Sequence, residues 1–143
     1  MNYKFTALKD LDLIIGTSNL MNIEHDEKDF NCLVMGKLKT LFGNPLSVSE
    51  DMENGYDYVI EAFDTKNDQK YILTVYMGPS GHAIGGRPDQ KGIKEAAKSL
   101  NNHIINAEVT DYEYEGIYYD FDIKIKMGVK NGIPYYFEEN NQY

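Results

Sequence analysis

The sequence predicts an α+β fold: one domain with a mainly antiparallel sheet of about five strands and two main helices packed on it. Three observations lead there. Two segments carry apolar residues at helical spacing, several others alternate or run in Tyr, Val, Ile and Phe, and short turn signals separate the latter. The chain has 143 residues, of which 42% are hydrophobic and 13% aromatic. That is enough apolar surface to build one core, and no repeat, low-complexity tract or long linker divides it. We therefore treat residues 1–143 as a single domain, with 1–25 of uncertain structure and 138–143 as a tail.

The elements follow in order. Phe5 to Ile15 places Leu8, Leu11 and Ile14 at helical spacing beside a β-prone LDLII run, and Gly16 ends it; the spacing favours a short helix. Between Asp26 and Phe42, the residues Phe30, Leu33, Val34, Leu38, Leu41 and Phe42 form an amphipathic stripe. Acids crowd the start of that segment, where they complement the helix dipole, and Gly43 with Pro45 supplies the stop. Tyr56 to Asp64 and Lys70 to Met77 read as two strands joined by TKNDQ, and they are expected to pair antiparallel. The stretch GPSGHAIGG, Gly78 to Gly86, reads as a glycine-rich break leaving the second strand.

Pro88 is positioned to open a second helix reaching Asn106, with Ile93, Ala96, Ala97, Leu100 and Ile104 on one face. Beyond Val109 the chain reads as strands. Tyr119, Phe121, Ile123, Ile125 and Met127 alternate with polar residues, so one face is expected in the core and the other in water. Asn131-Gly132 signals a type I′ hairpin, and Pro134 places the returning strand, Ile133 to Glu138, at a sheet edge.

Charge narrows the functional classes. Lys and Arg total 14 against 23 Asp and Glu, a formal charge of -9. Such a field repels phosphate backbones and attracts cationic partners, which argues against nucleic-acid binding. No stretch approaches the roughly 20 apolar residues needed to span a bilayer, and no basic amphipathic face suggests lipid docking. A lone cysteine, Cys32, and an N-terminus without a signal core point to a reducing cytoplasm.

Catalytic and metal chemistry find no support in the spacing. Metal ligation by His25, His82 and His103 would call for a short-range ligand pair, and there is none, so no metal or cofactor is expected. His25 sits among acids and His103 beside a helix stripe, whereas His82 lies in the glycine-rich stretch next to Ser80 and is the one candidate base. The segment GPSGHAIGGRP lacks both the Gly-Lys-Ser/Thr ending of a phosphate loop and dinucleotide-loop spacing. Asp120 and Asp122, at i and i+2, are expected on a wet face where both stay ionised. Cys32 reads as a buried, inert thiol.

What rises above this background is charge segregation. Residues 50–64 and 108–122 each hold six acids and no Lys or Arg. In the second block the acids interleave with tyrosine, a composition suited to a protein-binding surface facing a basic partner. The candidate partner-binding residues are Asp111, Tyr112, Glu113, Tyr114, Glu115, Tyr118, Asp120 and Asp122.

Taken in series, KLKTLFGNP, YDYVIEAFD, QKYILTVYMGPSGHAIGG, IKEAAKSLNNHIINAEVTDYEYEGIYYD and GVKNGIPYYFEE, spanning about Phe30 to Phe137, resemble small acidic bacterial immunity proteins of polymorphic or contact-dependent toxin systems. The resemblance implies a cytoplasmic, non-enzymatic protein that binds a cognate toxin, often a basic nuclease, and covers its active site. Contact residues vary within such proteins, so no binding position carries over by motif, and the oligomeric state is left open. The alternative is a small-ligand or regulatory binding domain using residues 78–87, which requires a deep apolar pocket beneath that segment. An enzyme using His82 is the third reading.

Overall fold

The structure, a computed structural model, describes residues 2–23, 28–48, 56–78, 81–118 and 122–140. The α+β class holds, but the strands form two sheets rather than one. Among the described residues there are nine strands: β1 (Tyr3–Leu8), β2 (Ser18–Asn22), β3 (Ser47–Val48), β4 (Tyr56–Asp64), β5 (Gln69–Gly78), β6 (Gly81–Gly86), β7 (Tyr112–Tyr118), β8 (Ile123–Lys130) and β9 (Ile133–Asn140). The helices are α1 (Lys28–Phe42) and α2 (Ile93–Ile105), with a short 3₁₀ turn at Leu11–Ile14. The larger sheet runs in the order β1-β4-β5-β6-β2, with β3 paired to the start of β4; the smaller runs β7-β8-β9. All pairings are antiparallel.

Helix α1 lies between the sheets, packing on β8 and β9 on one side and on α2 and β6 on the other. This explains why Cys32 and Met35 are buried along with Val34 and Leu38, more than a single stripe would require. One continuous apolar cluster joins Tyr58, Ile60, Leu73, Val75 and Ile84 of the large sheet to Tyr112, Tyr114, Ile125, Met127 and Val129 of the small one. Lys37 donates to the carbonyl of Ile105, tying α1 to the C-terminal end of α2, where a cation also complements the helix dipole.

Three expectations are corrected. The opening residues make a strand followed by a 3₁₀ turn instead of a helix: Tyr3 to Leu8 pair with Asp64 to Val59, and Asp10 caps the turn by accepting from the Asp12 N–H at 3.0 Å. A ready-made edge on β4 outweighs a weak local helical pattern, because every second residue added gains ladder bonds and each gains cross-strand contacts. The described part of the glycine-rich stretch is also not a loop. Gly81–Gly86 forms β6, flanked by β5 and β2 and buried throughout.

Its glycines serve close packing. A Cβ on Gly85 would lie 2.6 Å from Thr74 Oγ1, and one on Gly86 would lie 2.8 Å from the Leu20 side chain. The second helix begins at Ile93, not near Pro88. Gly92 at its N-cap takes φ +88, and a Cβ there would meet the Tyr71 hydroxyl at 2.5 Å, so the site demands glycine twice over. Two boundaries also shift. Strand β8 begins at Ile123, with Tyr119 and Phe121 lying outside the described residues, and β9 continues to Asn140 through residues read as tail.

Candidate binding surface

The smaller sheet carries the acid and tyrosine block, and its register decides which side chains face water. Glu113, Glu115 and Ile117 of β7 stand opposite Gly128, Lys126 and Lys124 of β8. These in turn stand opposite Tyr135, Phe137 and Glu139 of β9. Because side chains alternate, these nine positions share the outer face. Tyr112, Tyr114, Val129 and Met127 share the inner face with α1, and all four are buried.

The candidate residues therefore separate. Tyr112 and Tyr114 are only 8% and 5% exposed. Tyr112 donates its hydroxyl hydrogen to the Cys32 carbonyl at 2.8 Å and lies under the Lys39 ammonium. Neither ring can meet a partner without unfolding the sheet, which corrects their assignment to the binding set. Alternation is the reason: in YEYE, Tyr and Glu project to opposite faces. Asp111 is exposed but accepts from the Asn131 and Gly132 amides at 2.7 and 3.2 Å, bracing the β8–β9 turn. Asp122 is exposed at a positive-φ position before β8. The side chain of Tyr118 and the whole of Asp120 lie outside the described residues, as do His25, Ser80 and the acids at 50–53.

Glu113 and Glu115 remain on the surface, in company the sequence reading did not anticipate. The Tyr135 hydroxyl donates to Glu113 Oε2 at 2.8 Å, and Lys126 Nζ sits 3.6 Å from Glu113 Oε1. Burial first, and then the Glu113 carboxylate, push the Tyr135 phenol up to about 12. The Tyr135 ring also fills the space over Gly128, where a Cβ would come within 2.8 Å of its hydroxyl oxygen. Phe137 packs against Tyr135 with ring centroids 5.9 Å apart, yet it remains 64% exposed. A hollow of about 630 Å³ opens beside it, rimmed by Glu115, Ile117, Lys124, Lys126, Phe137 and Glu139.

The signal for Tyr135 and Phe137 was present in PYYFEE, whose odd positions share a face with the lysines of KIK once the Asn131-Gly132 turn fixes the register. The two lysines also bring the face close to local charge balance. Net acidity is thus a property of the whole chain more than of this surface.

The other candidates become structural. His82 is 1% exposed within β6, and its carbonyl accepts from the Ile23 amide, so it is not a loop base. His103 sits between the rings of Phe5 and Phe42, at 5.0 and 6.4 Å. Cys32 is fully buried, with its sulfur 3.3 Å from the Tyr135 carbonyl oxygen. Among the described residues no three His, Cys, Asp or Glu side chains gather to hold a metal, and no helix is long and apolar enough to cross a membrane. Beside β6, the hollow between Ile14, Ser18, Thr74 and Tyr76 holds about 230 Å³. A second hollow, lined by Lys70, Ile72, Arg87, Asp89 and Gln90, holds about 380 Å³, within the roughly 300–1,000 Å³ of ligand pockets, but four of its five lining side chains are polar or charged, so neither is the apolar pocket that the small-ligand reading requires.

Compared with protein-family models, curated protein sequences and solved structures, the chain finds no match in any of the three. Functional inference therefore rests on the geometry of its surface and on charge.

Proposed function

We propose that this chain is a non-enzymatic binding domain that captures a cationic protein on the outer face of β7-β8-β9, acting as an immunity protein that covers the active site of a basic toxin. One observation supports this reading above the others: Phe137 stands exposed beside Tyr135 at the lip of a large open hollow edged by Glu115 and Glu139. Aromatic anchors rimmed by polar groups are where binding energy concentrates. The labour divides by range. The charge of -9 draws a basic partner in, and the Tyr135–Phe137 pair with Ile117 holds it. Glu113 and Glu115 stay in the binding set, joined by Ile117, Tyr135, Phe137 and Glu139, while Tyr112 and Tyr114 leave it.

The test is co-purification with a secreted toxin encoded beside its gene. A complex is expected whose association slows as salt rises, and Phe137→Ala should weaken it by about 2 kcal/mol, the scale of a hot-spot truncation. Elution as two free proteins would refute the immunity role. Full affinity in Phe137→Ala would refute this face as its seat.

A further inference from the structure

Among the described residues β7 and β9 are the outer strands of the smaller sheet, and their edges are not equivalent. The two-residue turn at Asn131-Gly132 closes on the pair Lys130 and Ile133, and the pair flanking such a turn is hydrogen-bonded. Alternation then commits Ile133, Tyr135, Phe137 and Glu139 to the ladder with β8, and leaves Pro134, Tyr136 and Glu138 facing outward. On β8 the remaining positions serve β7, so Tyr112, Tyr114 and Gly116 bond inward to Val129, Met127 and Ile125. A second observation fixes the same phase. A Cβ on Gly128 would lie 2.1 Å from the Tyr112 carbonyl oxygen, which therefore points at β8.

Glu113, Glu115 and Ile117 consequently aim their N–H and C=O groups away from the sheet. No other described residue hydrogen-bonds their backbone, and none of the three is a proline. The β9 edge, by contrast, loses a donor at Pro134. We propose that the β7 edge takes an extended, cationic segment of the protein partner as a fourth strand, a mode that rests on the small sheet being the binding surface. The added strand would satisfy the outward donors and acceptors of three residues. Its outward side chains would then fall next to Glu113 and Glu115, where Lys or Arg is matched, and next to Ile117, where an apolar residue is matched.

Charge also selects against the commonest wrong occupant. A second copy would bring its own Glu113 and Glu115 alongside, and like charges across strands repel.

The probe is a cyclic hairpin peptide whose free strand alternates Lys and Val, titrated into the full chain at low salt while backbone amides are followed by NMR. Shifts at the Glu113, Glu115 and Ile117 amides are expected. Glu115→Pro, set against Glu115→Ala so that the lost carboxylate cancels, removes an outward N–H without touching the ladder to β8, and it should lower affinity by about a further tenfold, as expected for the loss of one or two hydrogen bonds. N-methylation of the peptide's free strand should do the same to the unaltered protein, so the proposal does not depend on the variant folding. Unchanged affinity in both arms, with Phe137→Ala still weakening binding, would overturn the edge and leave the face standing. Binding indifferent to all three changes, or no binding at all, would overturn this strand mode, and co-purification with the toxin would still decide the immunity role.

Discussion

At the residue scale, Tyr135 joins fold and surface. Its ring closes over a glycine too crowded to carry a side chain, and its hydroxyl is spent on Glu113. Because the folded protein raises this phenol from an ordinary 10.0 to about 12, the neutral form is favoured in the native state. The stabilisation is therefore complete below the unfolded value and disappears as pH climbs through the folded one. The stability difference between the native chain and Tyr135→Phe should hold steady up to about pH 10 and shrink towards pH 12, measured by urea unfolding at each pH. A difference that grows over that interval would contradict the Tyr135–Glu113 bond. Asp64 works in the opposite direction at the β4–β5 turn. Burial opposes its charge, but bonds from the Asn67 side chain and from the Asn67 and Lys66 amides prevail and lower its pKa, so its contribution fades as pH falls below the usual carboxylate range.

At the scale of elements, legibility followed how local the deciding forces were. Helix α2, the β4–β5 hairpin and the Asn131-Gly132 turn were readable because period and turn chemistry sit within a few residues. Strands β1, β2 and β6 were not. β1 and β2 take their state from partners far along the chain, whereas β6, although it follows β5 in a hairpin, is buried throughout and half glycine and carries no alternation to read. The candidate surface was half legible for a related reason: alternation in YEYE puts Glu113 and Glu115 on one face, but which tyrosines share that face depends on register with strands that follow. Helix α1 was recognised while its second buried side was not, since nothing local announces a second sheet. A polar tie, from Lys37 to the Ile105 carbonyl, joins the two helices. Lys37→Met should lower stability by about 1 kcal/mol, read as a reduced urea midpoint at constant slope, because it leaves the last carbonyls of α2 without their cation. An unchanged midpoint would mean that water replaces the ammonium at no cost.

At the scale of the whole molecule, the excess of nine negative charges has to be held in a compact volume. The small sheet shows how part of it is managed: Lys126 faces Glu113 and Glu115, and Lys124 faces Glu139. Exposed pairs of this kind contribute little each, and salt screens them. Salt equally screens the repulsion among the carboxylates, and with 23 acids against 14 bases repulsive pairs outnumber attractive ones. The two effects of salt therefore differ in size, with relief of repulsion the larger. Raising NaCl from about 0.01 to 0.15 M, which shortens the Debye length from roughly 30 to 8 Å, should raise Tm by a few degrees. The same change should slow the proposed capture of a cationic partner, since steering draws on the field that salt removes. Opposite responses of stability and association rate to one titration are what the proposed capture requires. If Tm fell with salt, the lysine pairs rather than the surplus acids would be setting the electrostatics of the fold.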